Sequence, residues 1–135
     1  MSSDPPSVNH TFKLPKLAYD APLAKQDYLR IAMFFNKRKD VSSDYFEKHW
    51  HHVHADLVTS SQAFKELKFL RYNQFRQRPE HRELLEKVKY PGMDWDACTE
   101  FWVRDFDDFV QFTKSKEYIE ATRELLVVGM RCLRD

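Results

Sequence analysis

The chain has 135 residues, enough for one domain that buries its own core without disulfide or metal staples. Lys and Arg total 22 against 21 Asp and Glu, a formal net charge of +1, so the basic excess of a nucleic-acid binder is missing. Two cysteines, Cys98 and Cys132, make no disulfide framework, and only two glycines leave no room for a Gly-rich phosphate loop or a dinucleotide fingerprint.

The longest apolar runs, residues 31–35 and 125–130, are too short for a membrane span, and the N-terminus lacks a secretory apolar core. These features predict a cytoplasmic protein with free thiols and neither a nucleic-acid nor a membrane partner. Aromatic residues make up 15% of the chain. They signal a bulky core or a ring-lined pocket.

Residues 1–26 read as a Pro-rich arm, broken by Pro5, Pro6, Pro15 and Pro22. It carries Phe12, Leu14, Leu17 and Tyr19, which suit packing along the domain or across a partner. The domain spans residues 27–135. Residues 28–37 alternate as a strand, with Leu29, Ile31, Met33 and Phe35 on one face. Ala32 and Phe34 make the other face apolar too, which predicts a central strand buried on both sides.

Ser42 or Ser43 can cap a helix running to about Ser60, with Asp44 and Glu47 at its positive end. Helical spacing puts Phe46, Trp50, Val53, His54 and Leu57 on one face. Residues 68–77 alternate as a second strand: Phe69, Arg71, Asn73 and Phe75 against Leu70, Tyr72, Gln74 and Arg76. A short helix fits residues 80–89, and Pro91-Gly92 turns the chain. Residues 96–104 read as a third strand. Asp105 caps a helix from Phe106, interrupted at Ser115, and residues 125–133 read as a fourth strand. The order strand, helix, two strands, helix, strand is the split βαβ pattern of a ferredoxin-like α+β fold. Such a sheet leaves one face uncovered, which predicts a homodimer.

The densest cluster of chemistry is His49-Trp50-His51-His52-Val53-His54. Helical zinc sites favour histidines four apart, and this run offers only pairs three apart, so a metal is disfavoured. His54 on an apolar helical face has two other readings: a hydrogen-bonded core histidine, or an acid–base group that titrates near neutrality.

Residues 46–58 resemble the signature helix of EthD-domain proteins, in which a Trp is followed four residues later by a His, a small residue and an apolar pair. Trp50, His54, Ala55, Leu57 and Val58 match those positions. Leu70-Arg71-Tyr72-Asn73-Gln74-Phe75 resembles the family's second strand. Trp95-Asp96-Ala97 with Phe101-Trp102-Val103 resembles its third, and Ser115-Lys116-Glu117-Tyr118 resembles the close of its second helix. The resemblance covers about residues 28–133. It implies a dimeric α/β barrel of two ferredoxin-like subunits.

Within the family, the histidine run most resembles fungal decarboxylases that act on aromatic polyketides, such as atrochrysone carboxylic acid, with no cofactor. Three positions depart from that branch. Arg76 follows Gln-Phe where the branch tends to have His, Asp96-Ala97 replaces Asp-Gly, and residues 120–124 lack an acidic Pro-Asp-Glu run.

The expected activity is therefore a cofactor-free lyase of secondary metabolism, decarboxylating a small aromatic polyketide-type acid. His54 is the candidate acid–base. Tyr72 is the candidate donor to a developing enolate, and Asp96 the group that orients a histidine or binds a hydroxyl. Trp50, Phe34, Trp102, His49, Glu100 and Arg71 are the candidate substrate-binding residues: the rings stack on a planar ligand, Arg71 meets a carboxylate, and Glu100 serves as an acid if burial raises its pKa. A dehydratase or cyclase, a cofactor-free anthrone-type oxygenase and a non-catalytic carrier of aromatic metabolites are the alternatives on the same fold.

Overall fold

A computed structural model describes the backbone of residues 10–128 and 130–132, with side chains as far as residue 125. Four strands make one antiparallel sheet: β1 (Leu29–Lys37), β2 (Arg71–Arg76), β3 (Ala97–Val103) and β4 (Met130–Cys132), in the order β2-β3-β1-β4. β3 enters between β1 and β2, so the connection from β1 to β2 skips a position, as the split βαβ pattern requires.

The helices are α1 (Ser43–Glu47), a π-helical stretch (Lys48–His54) continuing into α2 (Ala55–Thr59), then α3 (Gln62–Glu66), α4 (Pro79–Lys87), α5 (Phe106–Lys114) and α6 (Lys116–Val128). A 3₁₀ turn (Pro15–Leu17) lies in the N-terminal segment, where Leu14, Leu17 and Tyr19 are exposed. No helix among the described residues is long and apolar enough to cross a membrane.

Helix starts are set by side chains that satisfy free backbone N–H groups. Ser42 accepts from Tyr45 at 3.2 Å, Ser61 from Phe64 at 3.2 Å, and Asp105 from Asp108 at 2.9 Å. Ser115 breaks α5 from α6, as expected, and its hydroxyl accepts from the Tyr118 N–H at 3.2 Å. The Glu117 carboxylate accepts the Gln62 N–H at 3.0 Å and so ties α6 to α3.

One face of the sheet packs on the helices. Register pairs Ile31 with Phe101, Met33 with Thr99 and Phe35 with Ala97 across β1 and β3, and Tyr72 with Phe101 across β2 and β3. Two buried clusters form there. Phe35, Phe46, Trp50, Ala97 and Leu125 make one; Val58, Phe101, Val103, Phe112 and Ala121 make the other.

Four expectations need correction. Residues 125–128 are helical, and the last strand is only Met130–Cys132, with Leu133 outside the described residues. Ala121 and Leu125, four apart and both buried, share a helical line; a short aliphatic run reads alike as helix or strand. The second strand begins at Arg71, because α3 and a left-handed Lys68 (φ 51°) occupy the residues before it. Within this chain β1 is covered on one face only: Ala32 and Phe34 are exposed.

The fourth correction concerns the long helix. Its buried line is Phe46, Trp50, His54 and Val58, while Val53 and Leu57 are exposed. Four residues of an α-helix turn through about 400°, so a line of such steps drifts by about 40° each time. The wider π-turn absorbs that drift.

Phe112 is fully buried, with Phe64, Phe69, Phe101 and Tyr118 ringed around it at 4.8–6.2 Å between centroids. Phe112→Ala is expected to lower unfolding stability by about 3–5 kcal/mol, read as a lower urea midpoint at unchanged slope.

Candidate functional site

His54 closes the π-helical stretch and is only 6% exposed. It borders a cavity of about 220 Å³ between helices and sheet, lined also by Met33, Phe34, Phe35, Thr99, Phe101, Tyr118, Thr122 and Leu125. None of these side chains carries a charge. Burial holds the His54 pKa down at about 4, helped by His49 and opposed by the Ala121 carbonyl. The ring is therefore neutral at neutral pH. Nδ1 has no hydrogen-bond partner, so the hydrogen that meets the Ala121 carbonyl falls to Nε2, and Nδ1 keeps the lone pair.

Tyr72 stands beside this cavity on β2. Burial pushes its pKa up to about 12, against hydrogen bonds with Gln74 and Thr99. Gln74 links the strand to the helix. Its Nε2 donates to the Trp50 carbonyl at 2.9 Å and to the Tyr72 oxygen at 3.0 Å, and its Oε1 lies 3.0 Å from Nδ1 of His51.

The other candidates from the sequence scatter. Trp50 is a core residue, stacked on Phe46 at 5.6 Å and edge-on to Phe35, and it does not line the His54 cavity. His49 is half-buried with Nε2 unpartnered and is likewise outside the lining. Asp96 clasps the start of β3: Oδ2 accepts the Lys37 N–H at 2.9 Å, and Oδ1 is 3.7 Å from Arg82. It is placed to hold the strand end, away from His54.

Trp102, Glu100 and Arg71 lie on the opposite, uncovered sheet face. Tyr28 stacks on Trp102 at 5.0 Å, Arg71 sits 5.3 Å over the same ring, and the indole N–H donates to Glu100 at 3.2 Å. Phe34 borders both the His54 cavity and a hollow on that uncovered face with Phe75, Trp95 and Cys98. Burial raises the Cys98 thiol pKa, which makes it a poor nucleophile. Arg76, which the alternation of the second strand leaves beside Tyr72 and Gln74, pairs with Glu47 at 3.2 Å and lies over the Phe46 ring.

Within one chain, then, His54 and Phe34 border one cavity and Tyr72 packs against Phe101 of its wall, whereas Trp102, Glu100 and Arg71 lie on the opposite face of the sheet. Thr99, Tyr118, Thr122 and Gln74 were not singled out from the sequence. Thr99 had a legible signal, as the one hydroxyl on a β3 face otherwise made of Ala97, Phe101 and Val103. Among the described residues no group of three or more His, Cys, Asp or Glu is placed to hold a metal ion.

A ferredoxin-like sheet with a neutral histidine in a ring-lined cavity under its helices places the chain among small α+β domains with a cavity between layers. Residues 38–124, more than half of the sequence, match the EthD domain, and the chain belongs to that family. Its fold is similar to a crystal structure from Bacteroides fragilis NCTC 9343, described as a dimeric protein of unknown function and ferredoxin-like fold. That likeness has a TM-score of 0.50 at 13% identity and covers 78% of this chain and 89% of the other. No curated protein matches the sequence significantly.

The low pKa of His54 has a consequence for stability. Above about pH 6.5 both folded and unfolded chains hold the ring neutral. Between 6.5 and about 4 the unfolded chain takes up a proton that the folded one refuses, so stability falls as pH falls. The loss is on the order of 3 kcal/mol at the acid end. His54→Leu is expected to lack this component, so urea titrations at about pH 7 and about pH 4 should show the stability difference moving toward the variant by that amount. A difference constant with pH would refute the assignment.

Proposed function

We propose that the chain is a cofactor-independent lyase that decarboxylates a small planar aromatic acid of the polyketide type, as a cytoplasmic homodimer of the fungal secondary-metabolite kind. The observation that carries this reading is the unpartnered Nδ1 of a neutral, buried His54 bordering a cavity of rings and hydroxyls.

At about 220 Å³ the cavity is smaller than the roughly 300–1,000 Å³ of common ligand pockets, so it suits a compact planar molecule. Its uncharged lining strips water from a carboxylate, and loss of CO₂ disperses that charge. His54 takes the proton from a phenol or enol oxygen and delivers it to the ring carbon that bears the carboxylate. The C–C bond then breaks, its electron pair passes into the ring and onto the carbonyl oxygen, and the resulting phenolate takes one proton from solvent. An uncharged imidazole suits the first step, because it accepts before it donates.

A second reading is dehydration. It is favoured by the lack of any charged group, among the described lining residues, to hold a carboxylate. The same neutral base would remove a proton next to a leaving hydroxyl.

The test is mass spectrometry of an aromatic β-keto acid polyketide incubated with the purified protein, anaerobically and in air. Loss of CO₂ without oxygen is the expected result. Loss of water selects the dehydratase, oxygen gain only in air selects an oxygenase, and tight binding without change selects a carrier. His54→Ala is expected to slow the chemical step by a factor of about 10² or more; near-wild-type turnover would remove His54 from the mechanism.

The homodimer rests on the uncovered sheet face, where Phe34 and Phe75 are exposed on either side of Cys98, and on the dimeric state of the similar fold. Light scattering is expected to give twice the monomer mass; a stable monomer would sink it.

A further inference from the structure

Decarboxylation sends an electron pair onto a carbonyl oxygen, and a donor aimed at that oxygen stabilises the charge as it forms. His54 does not supply it: the open ring nitrogen, Nδ1, is the one that keeps a lone pair. Tyr72 is not among the residues that line the cavity. The hydroxyls that do line it are those of Thr99, Tyr118 and Thr122.

Thr122 differs from the other helical threonines in what its hydroxyl meets. A threonine inside a helix commonly turns its hydroxyl back to a carbonyl three or four residues earlier. Thr59 donates in this way to the Ala55 carbonyl at 2.8 Å, and Thr113 to the Val110 carbonyl at 2.9 Å. Thr122 lies midway along α6, and its hydroxyl has no hydrogen-bond partner among the described residues.

Its surroundings are apolar. Tyr118, Ala121, Thr122 and Leu125 follow the three-and-four spacing of one helix face, with Ala121 and Leu125 buried and the other two half-buried. Valine, of the same shape, would fill that face without a polar atom that needs a partner. α6 packs on the π-helical stretch, so Thr122 and His54 belong to the helical wall of the cavity. Met33, Phe35 and Phe101 belong to the sheet wall.

We propose that the Thr122 hydroxyl is the catalytic donor to a ketone oxygen of the ligand, while Nδ1 of His54 receives a ligand O–H. The inference rests on the reading of the cavity as a decarboxylase site. It adds a specificity: the ligand carries both a ketone and a hydroxyl on the edge that faces the helices. A ketone oxygen only accepts, so an imidazole lone pair does not hold it and a donor must. As the C–C bond breaks, charge grows on that oxygen and the hydrogen bond from Thr122 strengthens, with the proton staying on threonine.

The probes are tetralin and 1-tetralone, which differ by a ketone in place of one methylene, with affinities read by NMR titration. Thr122→Val is expected to weaken tetralone about fivefold and leave tetralin unchanged, and Thr122→Ser to restore tetralone. Thr99→Val should keep the wild-type ratio of the two affinities.

If Thr122→Val keeps that ratio, whether or not it weakens both probes alike, the donor assignment is overturned while the cavity reading stands. A ratio lost in Thr99→Val but kept in Thr122→Val puts the donor on the sheet wall and overturns it too. If neither probe binds the wild-type protein, the cavity reading fails and the donor with it. Should Thr122→Val not fold, Thr122→Ala against Thr122→Ser decides: a ratio lost in Ala and kept in Ser supports the donor, and one kept in both refutes it.

Discussion

The site depends on keeping an imidazole out of water with no carboxylate beside it. A buried histidine without a carboxylate partner stays neutral, and at His54 the cost of protonation is what holds the ring as a base at neutral pH. Every surrounding choice agrees with that constraint. The cavity wall is rings, aliphatic groups and hydroxyls. The acids of the long helix and of the start of β3 are engaged elsewhere: Glu47 with Arg76 and Arg78, Asp96 with the Lys37 backbone N–H and Arg82. Had either acid faced His54, the ring would titrate upward and lose the character that makes it a proton acceptor.

Gln74 connects this electrostatic arrangement to the backbone. One side-chain amide satisfies the Trp50 carbonyl, fixes the Tyr72 hydroxyl and meets His51 at the surface. A carbonyl that accepts from a strand side chain ties the helix to the sheet by more than ring packing. The polar layer is thin, and it lies between two aromatic clusters. Its bonds to Trp50 and Tyr72 are half-buried, so water screens them less than the bond to His51, which is exposed.

The architecture was legible in the sequence because strand alternation and capping residues agree with one another. Ser42, Asp105 and Ser115 each stand where the chain starts or breaks a helix. His54 was legible too, through its place one turn after Trp50. What was hidden follows from longer-range geometry. The π-turn left no local mark, so Val53 and Leu57 read as core and are exposed. Trp102, Glu100 and Arg71 carry the right chemistry for a site, but only pairing between strands shows that they face away from His54. Gln74 and Thr99 are ordinary polar residues in isolation, and their importance appears only where β2 and β3 place them side by side.

The π-turn between Lys48 and His54 also has a meaning in residue count. Hydrogen bonds that span five residues instead of four accommodate one residue more than an α-helix of the same rise would hold. Relative to a regular helix, this segment carries an insertion of one. Because the wider turn takes up that insertion, removing one residue there would restore regular winding and leave the flanks in phase, with Phe46, Trp50, His54 and Val58 on one face at steps of four, three and four. What the insertion sets is the number of side chains carried outward between Trp50 and His54, where His51, His52 and Val53 are all exposed.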